Sequence, residues 1–532
     1  MRKKQVYNPF LPLNEYIPDC EAHIFDGRVY LYGSHDREGG YTFCMEDYTV
    51  WSAPVDDLTE WRCEGVSYRA KQDPLYEKTG YMYAPDVVKG NDGKYYLYYC
   101  MSGEYGFGGY CQPISAAVSD KPQGPFDYLG VVRNKDGSPM MRYICFDPAV
   151  LNDGGVIRLY YGTRYGYEEE EDFSQNEKHI GYEISMFGKT REEILERAAS
   201  GDNIMGAFMA VLEDDMLTVK EDPKPIIPYK AKGTDFEEHP FFEAASMRKT
   251  EGKYYFIYSS WLNHELCYAV SDKPDGGFRF GGTLVSNGDI GYKGRKHKDK
   301  LNMTGTTHGS IENINGQWYV FYHRLTHKSD YSRQTCAEKI TIKPDGSIDQ
   351  AEMTSCGLNR GPLRAEGSYP AVIACNLTNG NMPHGSNSIY KIPFPNVTHK
   401  NDERFIGEIC SGTLIGYKYF DFGEVHRIGA VIRTENELTK VVSDAPLRED
   451  CRSDNAVNMK HEKDSYSGRP VIEIRLEPDG TPVGSIAVEY DETDRWHTAY
   501  ADVEIPSGVY PLYLVYRASD DRMIQMRELV FD

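Results

Sequence analysis

The sequence predicts an all-β protein in two parts, an array of repeated strand pairs in the manner of a β-propeller followed by a β-sandwich. Three observations carry this expectation. Short Tyr-rich strands recur through the first part of the chain, and much of a total of 42 Tyr falls in them; tyrosine suits a pleated, half-buried surface. Asp92-Gly93-Lys94-Tyr95-Tyr96-Leu97-Tyr98-Tyr99, followed by Ala117-Val118-Ser119-Asp120-Lys121-Pro122, returns as Glu251-Gly252-Lys253-Tyr254-Tyr255-Phe256-Ile257-Tyr258, followed by Ala269-Val270-Ser271-Asp272-Lys273-Pro274. A further copy of the first half is Asn315-Gly316-Gln317-Trp318-Tyr319-Val320-Phe321-Tyr322-His323. Turn, strand, strand and turn at intervals is the pattern of propeller blades. Finally, helical signal is scarce.

Taken in order, residues 1–360 hold the repeats and form the expected propeller domain. Within them Thr190-Arg191-Glu192-Glu193-Ile194-Leu195-Glu196-Arg197 opens with a capping-box pattern and predicts one short helix in an inserted loop. Residues 361–384, rich in Pro, Gly and Asn, are expected to be a linker. Residues 385–532 bring alternating strands without the repeat, such as Thr413–Gly423, Val471–Leu476 and Tyr513–Tyr516, and predict a separate sandwich of the jelly-roll kind.

At 532 residues the chain can bury a large core in two or three domains. Its net charge of -22 argues against nucleic acid and against an anionic membrane surface as partners, while a neutral polysaccharide meets no such repulsion. Of 12 Cys none forms a metal-type pair of close cysteines, and Cys100, Cys145 and Cys267 lie in or beside apolar strands, where a thiol acts as a small hydrophobe. No apolar stretch follows the basic start Met1-Arg2-Lys3-Lys4. The expected location is therefore the cytoplasm. The acidic run Glu168–Asp172 is expected to be a solvated loop, and Tyr105–Tyr110, although glycine-rich, lacks the strand–turn–helix setting of a phosphate site.

Three acids stand in similar settings, each ahead of a turn and a Tyr-rich strand: Asp19 in Pro18-Asp19-Cys20-Glu21, Asp147 in Phe146-Asp147-Pro148, and Glu243 in Phe242-Glu243-Ala244. Repeated units that each aim one acid at a shared centre suit hydrolysis of a glycosidic bond, which needs one carboxyl as acid and another as base. Taken singly, each of these acids could equally cap its turn.

With Tyr83-Ala84-Pro85-Asp86-Val87, Thr307-His308-Gly309-Ser310 and Arg333-Gln334 added in order, the first 330 or so residues resemble glycoside hydrolase family 43. The resemblance implies a five-bladed propeller, an inverting mechanism and substrates containing arabinose or xylose. It implies Asp19 as general base, Glu243 as general acid and Asp147 as the third carboxylate that tunes the acid. It further implies Arg333 as a donor to sugar hydroxyls, Tyr83 at the aromatic wall, Asp86 as a structural or pocket-edge acid, and His308 near the axis, with calcium as the ion if a cation is bound there and no cofactor required for the chemistry. Trp261, just past the strand of the third acid, is a candidate stacking residue. Glu237 and Glu238, close to Glu243, match the family less well.

The C-terminal part resembles a family 6 carbohydrate-binding module through Gly412–Lys418, Asp421-Phe422-Gly423, Glu473–Leu476, Arg495–Thr498 and Val509–Tyr516. Where such modules often carry a ligand-binding Asn, this chain reads Ile524-Gln525-Met526-Arg527, so packing on the propeller is an alternative to sugar binding. The expected activity is an exo-acting α-L-arabinofuranosidase on arabinoxylan or arabinan fragments, with β-xylosidase as the alternative. A retaining fructosidase would need its nucleophile in an Asn-Asp-Pro-Asn-Gly-like setting, which Pro18-Asp19-Cys20-Glu21 is not. A non-catalytic sugar-binding propeller would not need all three acids.

Overall fold

Two-residue turns with positive φ at both positions close four of the leading hairpins: Asp26-Gly27, Gly154-Gly155, Glu251-Gly252 and Asn315-Gly316. This backbone matches the right-handed twist of the strands it joins, and the sequence repeats it because few other residue pairs tolerate it. In the computed structural model, which describes residues 4–101, 112–164, 174, 177–200, 204–385, 393–435 and 466–532, these turns start successive antiparallel sheets.

Five such sheets follow one another. The first runs Glu21–Phe25, Arg28–Tyr32, Tyr48–Pro54, Arg62–Tyr68, and the second Met82–Lys89, Tyr95–Met101, Ile114–Ser119, Asp127–Val131. The third comprises Ala149–Asp153, Val156–Tyr161, Phe208–Leu212 and Lys224–Pro225; the fourth, Phe241–Thr250, Lys253–Ser260, Glu265–Ser271 and Arg279–Ser286. The fifth has Ser310–Ile314, Gln317–Leu325 and Arg333–Ile340. The leading strand of each sheet touches that of the next, and the fifth touches the first, so the leading strands close a ring. Cys20 and Gly309 form a parallel bridge across that closure, and the Ala22 N–H donates to Ser310 Oγ at 3.2 Å. A side chain at position 309 would put Cβ 1.9 Å from the Phe321 carbonyl oxygen, so only glycine fits.

Apolar side chains fill the spaces between neighbouring sheets. One cluster joins Tyr98, Ile114 and Val150 to Tyr161 and Phe208; another joins Tyr160 and Met209 to Phe241, Phe256 and Tyr258. The short helix expected at Thr190 is present as Arg191–Ala199, with Thr190 as N-cap and Glu193 closing the box. A second helix, Glu177–Phe187, was not foreseen, because Gly181 and an aromatic and β-branched mixture blur its period. The acidic run 168–172 and the tract 105–110 lie outside the described residues.

The remaining strands make two six-stranded sheets around one core that includes Tyr417, Phe420, Ile428, Ile474, Leu514, Met526 and Phe531. The stretch 361–384, expected as a linker, carries structure of its own: Leu363–Arg364 and Asn376–Thr378 pair with Leu414–Phe422, and Gly367–Pro370 pairs with Met523–Phe531. Gly367 and Pro370 bound one of these short strands, as Pro is tolerated at a sheet edge. Overall the protein is all-β.

Candidate active site

The backbone turns left-handed where four leading strands begin, at Asp19 (φ 57°), Ala84 (φ 33°), Asp147 (φ 45°) and Ala244 (φ 70°). Such a conformation costs a non-glycine residue about 1–3 kcal/mol and recurs where a side chain must be aimed. Asp visits this region more readily than most residues. At Glu243 the register shifts on both sides, so a bulge re-aims the carboxyl out of the ladder. Asp19 and Asp147 are thus themselves the left-handed residues just ahead of their strands, whereas Glu243 is aimed by the bulge beside left-handed Ala244.

Asp19 is 5 % exposed and bound to Arg333, whose Nη1 donates to its Oδ1 at 2.8 Å. Its N–H donates to His323 Nδ1 at 3.3 Å, while His323 Nε2 pairs with the Thr306 carbonyl at 2.9 Å. Burial pushes His323 down to about 3, so it stays neutral and accepts. Burial would push the Asp19 carboxyl up, but the Arg333 guanidinium outweighs it and holds the group below its usual value.

Asp147 accepts from the Ala244 N–H at 3.0 Å, which ties it to the residue after Glu243. Burial, then Glu243 and Asp19, push its carboxyl well up. Glu243 Oε2 is buried with no hydrogen-bond partner, and burial followed by Asp19 raises its carboxyl to about 8. Close buried carboxyls cannot all ionise. With Asp19 held as the anion, the proton resides on the Asp147–Glu243 side. Glu237 and Glu238 are exposed and outside this group.

His308 stands between the acids, its Nδ1 3.8 Å from Asp19 Oδ1 and 3.7 Å from Asp147 Oδ2. Among the described residues, the groups with metal-ligand spacing are Glu21–His23–Asp86, His239–Glu265–Cys267 and Glu38–His327–His399, none of which includes His308. The first of these lies just beyond Asp19 along its strand and already holds a cation: Arg248 donates to Glu21 at 2.8 Å and stands 3.4 Å from Glu312.

Asp86, expected as a structural or pocket-edge acid, is turned inward. It accepts from His23 at 2.6 Å and from the Val87 and Val150 N–H groups at 2.7 Å each, fastening three sheets to one another. Its buried oxygens are spent on these bonds, which leaves no role against substrate. Tyr83 is half-buried, edge-on to Phe146 at 6.1 Å. Trp261 is 38 % exposed, edge-on to Phe242 at 5.1 Å and approached by the Arg164 guanidinium at 5.8 Å.

Sequence reasoning missed Asp36, His323, Phe43 and Arg164. Asp36 pairs with Arg333, Phe43 lies under the Arg333 guanidinium at 4.7 Å, and Arg164 donates its N–H to the Phe242 carbonyl at 2.8 Å. Asp36 follows a Tyr-rich strand rather than preceding one, so the pattern that marked the three acids passed over it.

Residues 7–191 match the family Glycosyl hydrolases family 43. A xylosidase/arabinosidase of Thermoclostridium stercorarium is 39% identical over 552 aligned residues, spanning 100% of both chains. Xylosidase/arabinosidase 43A of Humicola insolens is 33% identical over 351 residues, 63% of this chain and 96% of its own. Among solved structures, a β-xylosidase/α-arabinofuranosidase from a compost microbial metagenome, in complex with xylotriose, aligns at 27% identity with a TM-score of 0.48, over 66% of this chain and 98% of that one.

Proposed function

This chain belongs to glycosyl hydrolase family 43 and is a glycoside hydrolase of the xylosidase/arabinosidase type, and from that premise we propose an inverting exo-glycosidase in which Asp19 is the general base and Glu243 the general acid. The observation that carries the assignment is the opposed state of the two groups: Arg333 keeps Asp19 ionised, whereas Glu243, buried and unpartnered, holds its proton up to about 8. Environments that push two carboxyls apart mark base and acid. Asp19 takes a proton from water as the water attacks the anomeric carbon, and Glu243 gives its proton to the leaving oxygen. Asp147, held by the Ala244 N–H beside Glu243, positions that acid, while burial and the negative charge of Asp19 keep Glu243 protonated. Hydrolysis in this family needs no cofactor.

The ring of five sheets supports the reading of a five-bladed propeller, with domain limits at 1–360 and 385–532 adjusted by the strands at 363–378. The two six-stranded sheets about one core support a sandwich. Its Trp496 is covered by Arg433 at 4.2 Å and donates to Glu403 at 3.1 Å, which favours packing over an open sugar platform. Calcium takes about 6–8 oxygen ligands. Beside His308 the described carboxylates are Asp19, already held by Arg333, and Asp147, already holding the Ala244 N–H. A calcium ion beside His308 would therefore draw most of its ligands from water and would be structural, since proton transfer among Asp19, water and Glu243 carries the hydrolysis.

The substrate we favour is an α-L-arabinofuranosyl branch on arabinoxylan or arabinan oligosaccharides. β-D-Xylosides are the second reading, favoured by the paired activities named for both relatives. The cytoplasm remains our proposed location. Aryl α-L-arabinofuranoside and aryl β-D-xylopyranoside, assayed side by side with D19N as control, test the reading. Arabinoside cleavage lost in D19N supports it, xyloside dominance favours the second reading, and proton NMR showing a retained first anomer overturns the mechanism.

A further inference from the structure

Two loops frame Arg333, and both are held from the C-terminal sheets. The loop after Arg28–Tyr32 carries Asp36 and, two positions on, Glu38. The loop after Gln317–Leu325 carries Thr326, His327 and Lys328 and runs directly into Arg333. Against them lies the hairpin made by Asn396–Lys400 and Glu403–Ile409.

Glu38 is the clasp. Its Oε1 accepts from Tyr16 at 2.5 Å and lies 3.3 Å from His327 Nε2 and 3.0 Å from His399 Nδ1; its Oε2 accepts from Arg404 Nη2 at 2.6 Å. Arg404 and His399 belong to the hairpin, and the other partners to the ring of sheets. A carboxylate beside two histidines has the spacing of a metal site. Here the guanidinium already supplies the positive charge and the Tyr16 hydroxyl fills a further acceptor site, which leaves a metal ion without a role. The hairpin makes two more contacts with the second loop: the Val397 N–H donates to the Thr326 carbonyl at 2.8 Å, and buried Glu408 pairs with Lys328.

We infer that the hairpin 396–409 of the C-terminal module is a positioning element of the active site, with Arg404 and His399 acting through Glu38, and Glu408 through Lys328, to hold the two loops that set Arg333 against Asp19. The physical argument is one of rigidity. Arg333 is fastened to Asp36 by side chain and backbone, so a shift of the 34–44 loop carries the guanidinium with it. Asp36 is in turn anchored through its own N–H to the Tyr16 carbonyl at 2.9 Å, while the Tyr16 hydroxyl meets Glu38. Three short bonds, Arg404 to Glu38, Asp36 to Arg333 and Arg333 to Asp19, joined by the backbone of 36–38, therefore run from the hairpin to the base, and a misplacement on the order of 1 Å at a catalytic group costs about 100-fold in rate.

The inference rests on Asp19 being the general base. The test uses the full-length enzyme with R404M, R404K and K328M, and with D19N alongside, assayed for kcat, KM and the pH profile of kcat/KM, with folded fraction checked by calorimetry. The expected result is a kcat about 10-fold lower in R404M and K328M at little changed KM. The acid limb of the profile should move upward as Asp19 loses the hold of Arg333, with partial recovery in R404K. If R404M does not fold, R404K and K328M carry the same readouts. A lower melting temperature with kcat and the acid limb unchanged overturns the inference and leaves the hairpin a structural contact only. Activity retained in D19N would instead overturn the assignment of the base, so the two failures are distinct.

Discussion

Asp36 grips Arg333 through two parallel hydrogen bonds, Nε to Oδ2 at 2.8 Å and Nη2 to Oδ1 at 2.9 Å, leaving Nη1 free to hold Asp19 at 2.8 Å. The fork geometry of a guanidinium makes this division of labour available to Arg and not to Lys. One buried cation thus serves two buried carboxylates, and its third nitrogen is aimed by the other two.

Removing that cation should be costly. R333M leaves the buried Asp19 and Asp36 without their shared cation, a situation worth about 3–5 kcal/mol of lost stability. The denaturation midpoint of R333M should fall accordingly and hydrolysis should be lost near neutrality. A midpoint equal to that of the wild type would show that the pair carries little of the local structure.

Base and acid substitutions should separate chemistry from folding. D19N and E243Q should each lower kcat by about 10²–10⁴-fold, the usual contribution of a general base or acid, with circular dichroism unchanged. E243Q should suffer least with aryl glycosides, whose leaving oxygen needs little protonation. Equal losses across leaving groups would argue against proton donation by Glu243.

The pH profile follows from the two opposed carboxyls. Glu243 acts while protonated, so activity is present below its folded value of about 8 and is lost as pH rises through it. Asp19 acts while ionised, so activity falls on the acid side only below the ordinary carboxylate value, because Arg333 lowers the group. The alkaline limb belongs to the Glu243–Asp147 pair as a unit, and it should vanish from the residual activity of E243Q. Rates that keep rising well above pH 8 would remove Glu243 from the acid's role.

Trp261 should act in binding alone. Stacking of this kind is worth about 0.5–1.5 kcal/mol, so W261A should raise KM roughly 3–10-fold with kcat kept. A fall in kcat at constant KM would place Trp261 in support of Glu243 through Phe242 instead.

Acid stability should report the Glu38 clasp. Burial raises this carboxyl, but His327, Tyr16 and Arg404 outweigh it and bring it from 4.5 to about 2. A depressed folded value means stability that is fully present above the unfolded value and lost as pH falls toward the folded one. The buried His327, itself held below its ordinary value, acts in the same direction. Melting temperatures of E38Q should therefore vary less than those of the wild type between about pH 6 and about pH 3. Parallel curves would mean that the clasp adds nothing to folding.

Sequence by itself determined the all-β character and the repeated strand pairs, and it marked Asp19, Asp147 and Glu243 as acids ahead of Tyr-rich strands. Each is a local property: a two-residue turn, a run of Tyr, or an acid ahead of a strand can be recognised without knowing what lies across the ring. Tertiary structure alone decided which of these acids is ionised and which is protonated, since burial, Arg333 and the missing partner of Glu243 come from distant segments. It also tied Asp86 into the framework, because His23 and the Val150 N–H reach it only once three sheets meet. The stretch 361–384 holds three short strands for the same reason, as edge pairing depends on partners some 40 to 160 residues away. Asp36 and Glu38 show the limit most plainly. Their sequence setting is an ordinary loop, and their meaning arises from Arg333 and Arg404, brought to them across 297 and 366 residues of chain.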